Sequence, residues 1–224
     1  MGVAAAKPLV LHEQNAVAGL ANRVLAYGAD RILTGFPGAF AGRHARKSAW
    51  VGNPVRDAFA GVPPPDARFA GRTGPLSLLV VGGSLGAVGL NERVPKALAL
   101  LPQDTRPRVV HQAGARNIDA LRAAYRDASV DAECVAFIDD MAARYAEADL
   151  VVCRGGATTV AELAVVGVGS IIVPLPGAIA NEQSANAQFL VDAGGAVKIA
   201  QVDLTPELLA KRLASCTRES LLAM

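Results

Sequence analysis

From Leu76 onward, short apolar runs alternate with amphipathic stretches, the pattern of a parallel sheet with helices packed on both faces. The predicted strands are Leu76–Val81, Arg108–Gln112, Glu133–Phe137, Leu150–Cys153, Ser170–Val173 and Ala196–Ile199, each followed by a helical or turn signal. Between the second and third, Ile118, Leu121 and Tyr125 recur at helical spacing and mark one buried face. Near the end, Thr205 is placed to cap a helix opened by Pro206, with Leu204 and Leu209 at the spacing of a hydrophobic staple. Asp139 and Asp140 read as helix caps, because adjacent residues at a helix start do not face each other as paired carboxylates would.

The first 50 residues differ. Pro8–Leu11 and Arg31–Thr34 read as short strands, and Val17, Leu20, Val24 and Tyr27 fit one helix face. Two strands and a helix cannot close a core, so this front piece is expected to be poorly stable, with strand edges open to association. Between it and Leu76 lies a run with Pro63, Pro64, Pro65, Gly71, Gly74 and Pro75, which reads as a linker. The pattern therefore divides the chain into residues 1–50, a linker at 51–75, and one α/β domain at 76–224. At about 150 residues per domain, 224 residues is roughly 1.5 domains, in keeping with that division.

Composition changes this picture little: with 52% apolar and 19% charged residues, a sizeable core forms and disorder is disfavoured. A net charge of +2 argues against a nucleic-acid binder relying on a dense basic face. The sum hides an asymmetry, since residues 1–75 carry nine Lys and Arg against four Asp and Glu, and the remainder thirteen against sixteen. The basic front reads either as a solvated surface or as a face for an anionic membrane or phosphate-bearing substrate. Cys134, Cys153 and Cys216 have neither the spacing of a zinc site nor the parity of a disulfide framework. No apolar run near Met1 has signal-peptide length, and the uncharged stretch Leu163–Ala180 is broken by Gly167, Gly169, Pro174, Pro176 and Gly177. A cytoplasmic chain is expected.

Three segments are candidates for chemistry. In Val80–Asn91 (VVGGSLGAVGLN) an apolar strand runs into a glycine-rich turn and then a helix. Such a turn either lets backbone N–H groups approach a phosphate, with Ser84 adding a hydroxyl, or simply packs strand against helix. Its spacing is neither the dinucleotide fingerprint nor the Walker pattern. Val151–Leu163 (VVCRGGATTVAEL) repeats the theme: Gly155 and Gly156 precede Thr158, Thr159 and, one and a half turns into the helix, Glu162. A carboxylate there suits the vicinal hydroxyls of a ribose whose phosphates lie at the helix start; the alternative is an exposed helix glutamate behind threonine caps. In Asn181–Ala187 (NEQSANA), Asn181, Glu182, Gln183 and Asn186 cluster at a helix start, as sugar-hydroxyl ligands or as caps. HEQN at His12–Asn15 and VGNPVRD at Val51–Asp57 complete the set.

Taken in order, HEQN with GLANR, FPGAF, VGNPVR, VVGGSLGA, FIDDMAARYAEADLVVCRGGATTVAEL, NEQSANA and TRESLL resemble the bacterial peptidoglycan glycosyltransferases of the MurG family. The resemblance covers nearly the whole chain. It implies a GT-B architecture of two Rossmann-like domains: a nearly complete donor-binding domain at 76–224, and at 1–50 the C-terminal part of an acceptor-side domain. It implies inverting transfer of N-acetylglucosamine from UDP-GlcNAc to the C4 hydroxyl of the muramoyl sugar of lipid I, giving lipid II at the cytoplasmic face of the inner membrane. By the resemblance, Glu162 is the ribose ligand, and Ala157, Thr158, Thr159, Val160 and Ala161 belong to the donor pocket. Ile138 receives the uracil edge, Ser84 the diphosphate and Gln183 the sugar hydroxyls, while Asn15 and Arg56 are donor contacts near the domain junction. No metal or cofactor is implied. Glu182, and Ala180 with Asn181, depart from the family pattern near the sugar. The chain has no counterpart of the family's glycine-rich opening loop, proposed histidine base, membrane-docking patch or last helix, so it reads as truncated at both ends, with no catalytic residue of its own and inactive alone. The alternatives are a UDP-sugar epimerase of similar fold and a non-catalytic nucleotide-sugar-binding module.

Overall fold

A computed structural model describes residues 7–83, 86–177 and 181–224. The chain opens with strand β1 (Val10–Glu13), helix α1 (Leu20–Leu25), strand β2 (Arg31–Thr34), a 3-10 turn at Gly42–Lys47 and strand β3 (Ser48–Trp50). These strands form a parallel sheet in the order β1-β2-β3, with Val10 opposite Arg31 and Ile32 opposite Ser48. Its core is small: Ala18, Ala26, Ala29, Ile32 and Phe40. The anticipated apolar helix face is left uncovered, with Leu20, Val24 and Tyr27 all exposed. Two expectations are corrected here. The first strand runs to Glu13 instead of stopping at Leu11, and β3 supplies a third strand that hydropathy does not reveal.

Helices α2 (Asp57–Ala60) and α3 (Pro65–Phe69) follow. The second sheet then alternates with helices: β4 (Ser77–Val81), α4 (Val88–Ala99), β5 (Arg108–Gln112), α5 (Ile118–Asp127), β6 (Glu133–Val135), α6 (Met141–Glu147), β7 (Leu150–Cys153), α7 (Ala157–Val166), β8 (Ser170–Ile172), α8 (Glu182–Asp192) and β9 (Ala196–Lys198), closing with α9 (Pro206–Ala214) and α10 (Arg218–Leu222). All six strands are parallel in the order β6-β5-β4-β7-β8-β9. The predicted strands are thus present, with β6 ending at Val135 instead of Phe137. Both faces are covered, as β4 shows. Its Leu78 and Val80 enter one core with Leu90, Val94, Leu121 and Leu209, while Leu79 and Val81 enter the other with Tyr145, Val160, Leu163 and Ile172. Two of the three expected caps form: Asp140 accepts from Ala143 N and Thr205 from Leu208 N, while α6 takes Asp140 and not Asp139 as its N-cap.

The Pro/Gly-rich segment 51–75, expected as a linker, is fastened down. Phe59 is buried in the second domain's core beside Tyr145. Buried Arg68 donates to the carbonyls of Val166 (2.9 Å) and Gly167 (2.8 Å), satisfying groups that the end of α7 leaves open. Arg72 and Arg218 meet the fully buried carboxylate of Asp149 at 2.6 and 3.0 Å, and that carboxylate also accepts from Ser77 N at 2.9 Å. A chain rich in proline reads as flexible by composition, but here its arginines and one phenylalanine fix it in place.

Candidate functional site

Strand order locates the site. In an open parallel sheet, ligands bind beyond the carboxyl ends of the strands where the winding direction reverses. Here the reversal lies between β4 and β7, the two strands that run into the glycine turns. A cavity of about 490 Å³ lined by Ser77, Arg108, Glu133 and Arg144 sits at the amino ends of β4, β5 and β6, away from both turns.

After β4, Gly83 and Gly86 hold φ of 80° and 76°, in the left-handed region where a side chain is strained. A Cβ on Gly86 would lie 1.8 Å from Ala113 O, so the turn presses directly on the end of β5. Beneath it, Asn91 donates to Ala113 O (3.3 Å) and its Oδ1 lies 3.1 Å from His111 Nε2, while His111 Nδ1 lies 2.9 Å from the Tyr125 hydroxyl. Burial lowers the His111 pKa to about 3, so the ring is neutral. Ser84 lies outside the described residues.

After β7, α7 follows an N-cap glycine, Gly156, and has no side-chain cap among the described residues. The amides of Ala157, Thr158 and Thr159 have no carbonyl inside the helix to bind, and the helix start adds partial positive charge. Thr158 is exposed, Thr159 and Ala161 half-buried, and Val160 points into the core. Glu162 shares the face of Thr158 and Thr159 at helical spacing, yet its side chain is only 12% exposed. Burial raises its pKa, and the Arg56 guanidinium, 3.7 Å away, opposes that rise. Arg56 itself is largely exposed and lies over the ring of Phe59. Ion pair and ring stacking bring a front-segment cation to a helix more than a hundred residues later.

Other candidates border the same region. Ile138 is buried in the turn between β6 and α6. Gln183 Oε1 accepts from Leu175 N at 2.9 Å, which ties α8 to the loop after β8. Asn15 lies beside Glu13, whose buried carboxylate accepts from Asn15 N, Gly19 N and Asn22 Nδ2 and so fixes the loop after β1.

Sequence reasoning missed two members of this neighbourhood and misread a third. Glu13 carries no signal beyond its place in HEQN. Arg154, beside the Gly155 turn, donates to Val173 O, Pro174 O and Gln201 Oε1. Asn186, read as a sugar ligand or cap, is instead fully buried. The partners of Arg154 and Asn186 lie far away in the sequence, and no local spacing announces them.

Residues 77–224 match the glycosyltransferase family 28 C-terminal domain. A UDP-N-acetylglucosamine--N-acetylmuramyl-(pentapeptide) pyrophosphoryl-undecaprenol N-acetylglucosamine transferase from Paracidovorax citrulli is 58% identical over 222 residues, covering 99% of this chain and 61% of its own. One of the same name from Aromatoleum aromaticum is 59% identical over 218 residues, covering 97% and 60%. The chain thus spans about 60% of the length of the curated relatives it matches. The crystal structure of Acinetobacter baumannii MurG superposes with a TM-score of 0.84 at 37% identity, over 96% of this chain and 60% of that one. These matches bear out the MurG resemblance and the GT-B, Rossmann-like fold read from the motifs. The chain belongs to glycosyltransferase family 28, whose C-terminal domain its residues 77–224 form.

Proposed function

We propose that this chain binds the UDP-GlcNAc donor of an inverting N-acetylglucosaminyltransferase that converts lipid I to lipid II. The observation that carries the reading is Glu162, a largely buried carboxylate kept beside Arg56 at the mouth of an uncapped helix, at the reversal point of the sheet. The names of the relatives support it, and they do not favour a UDP-sugar epimerase. In this reading Glu162 accepts hydrogen bonds from the two ribose hydroxyls. The amides of Ala157 to Thr159, the threonine hydroxyls and Ser84 take the diphosphate, and Val160 and Ala161 contribute as the helix wall. Ile138 offers its backbone to the uracil, Gln183 binds sugar hydroxyls, and Asn15 and Arg56 close the donor side of the junction.

The reaction is a single displacement. The acceptor C4 hydroxyl oxygen bonds to the anomeric carbon, the bond from that carbon to the diphosphate breaks with inversion, and the hydroxyl proton passes to a base. Helix N-termini and hydroxyls stabilise the departing UDP, and no metal or cofactor enters this reading. We assign the base to none of the residues above, so the chain by itself is expected to bind donor without making lipid II. Because the acceptor is lipid-linked, the reading places the enzyme peripherally at the cytoplasmic face of the inner membrane. Among the described residues no helix is long and apolar enough to cross a membrane.

Calorimetry with UDP-GlcNAc tests the proposal. A hydrogen bond to a charged group contributes about 1.5–3 kcal/mol, so losing even one in Glu162→Ala weakens binding roughly 10- to 150-fold. Unchanged affinity in that variant refutes the ribose role.

A further inference from the structure

Asn186 lies on α8, three residues after Gln183, and its side chain turns inward. Its Nδ2 donates to Asn15 Oδ1 and to Gly155 O, each at 3.1 Å, and its Oδ1 accepts from Ala16 N at 2.8 Å. One carboxamide therefore joins the front loop after β1, the glycine turn before α7, and α8 itself. The turn has no slack against α8: a Cβ on Gly155 would lie 2.3 Å from Gln183 O. Glu13 holds the other side of the front loop through Asn15 N, Gly19 N and Asn22 Nδ2. Nearby, Phe36 from the loop after β2 and Trp50 of β3 pack edge-on against Phe189 of α8, so the front segment meets this helix independently of the amide.

A buried amide with both donors engaged has one orientation. Because Asn186 donates to Asn15 Oδ1, the Asn15 amide is also oriented, with its amino group directed away from α8. We infer that Asn186 is a positioning residue that sets the Asn15 side chain and the Gly155 turn relative to each other, and so couples donor affinity to the seating of the front loop. This rests on the donor-site reading above. Asn186 itself touches no ligand: it acts through Asn15.

The test is a double-mutant cycle in the full chain, with UDP-GlcNAc affinity by calorimetry and Ala16 amide exchange by NMR. Asn186→Ala is expected to weaken UDP-GlcNAc by about tenfold and to speed Ala16 exchange by at least about tenfold. Asn15→Ala is expected to weaken binding comparably, and the double variant to bind no more weakly than the poorer single one. Additive losses would show a general structural effect and overturn the coupling. Should Asn186→Ala not fold, the isosteric Asn186→Asp carries the same cycle. It keeps the acceptor for Ala16 N, so exchange there stays slow, but loses both donors, so the Asn15 amide turns and affinity falls. If wild-type protein binds no UDP-GlcNAc, the donor reading fails by itself. Ala16 exchange in ligand-free Asn186→Ala still decides the positioning claim, and an unchanged rate overturns it.

Discussion

His111 makes a quantitative pH prediction. It is fully buried on β5, between Asn91 and Tyr125, and burial lowers its pKa from 6.5 to about 3. The folded state therefore keeps the ring neutral while the unfolded chain takes up a proton below about pH 6.5. Stability from this group is complete at higher pH and is lost as the pH falls below 6.5, levelling only near the folded pKa. From about pH 7.5 to about pH 5.5 the loss is about 1.4 kcal/mol, and extended to pH 3 it reaches about 4 kcal/mol. Urea unfolding across the upper window measures it, with His111→Gln as the reference. That variant sheds the titration whatever its absolute stability, so its stability should fall about 1.4 kcal/mol less between the two pH values. Equal losses in both proteins would refute the argument. Because Asn91 also holds Ala113 O, against which Gly86 packs, the glycine turn after β4 should be among the first parts to loosen in acid.

Asp149→Ala leaves Arg72 and Arg218 without their buried carboxylate and should lower the unfolding free energy by about 3–5 kcal/mol, whereas Glu133→Ala, which removes a partly exposed pair with Arg144, should cost about 0–1 kcal/mol; urea midpoints compare them. Gly177→Ala incurs left-handed strain of about 1–2 kcal/mol, because no described residue lies within 4 Å of a Cβ placed there. Gly86→Ala adds the collision with Ala113 O and should lose about 2–5 kcal/mol in the same assay. Donor affinity should fall with decreasing pH as Glu162 takes up its proton, earlier than for an ordinary carboxylate. Arg56→Ala removes the opposing charge and should move that fall to still higher pH in a calorimetric pH series.

The second domain was legible because its strands obey a simple rule. Buried on both faces, β4 and β7 are apolar or nearly apolar runs that lead into the glycine turns, and they appear almost where expected. The front was harder to read. In β1 the terminal Glu13 is buried because three donors surround it, and no hydropathy value announces that. β3 has only three residues and follows a 3-10 turn rich in Arg, Lys and His. At the site, the glycine turns and the helix of Glu162 were visible as local spacing. The partner of Glu162 was not, since Arg56 reaches it only because Phe59 anchors the intervening segment. Asn186 shows the same limit from the other direction: its polarity suggested a ligand, and its three partners lie in loops that only the folded chain brings together.

Trp50 is the only tryptophan in the chain, and it rests with its ring edge toward Phe189, at the seam where the front sheet meets α8. More than half of it is exposed, and its indole N–H donates to Gly35 O. Its emission thus comes from a single known place, and quenching by acrylamide reads how closely the two sheets are seated. The protein carries its own optical gauge of that seam, usable with no label and no added substitution.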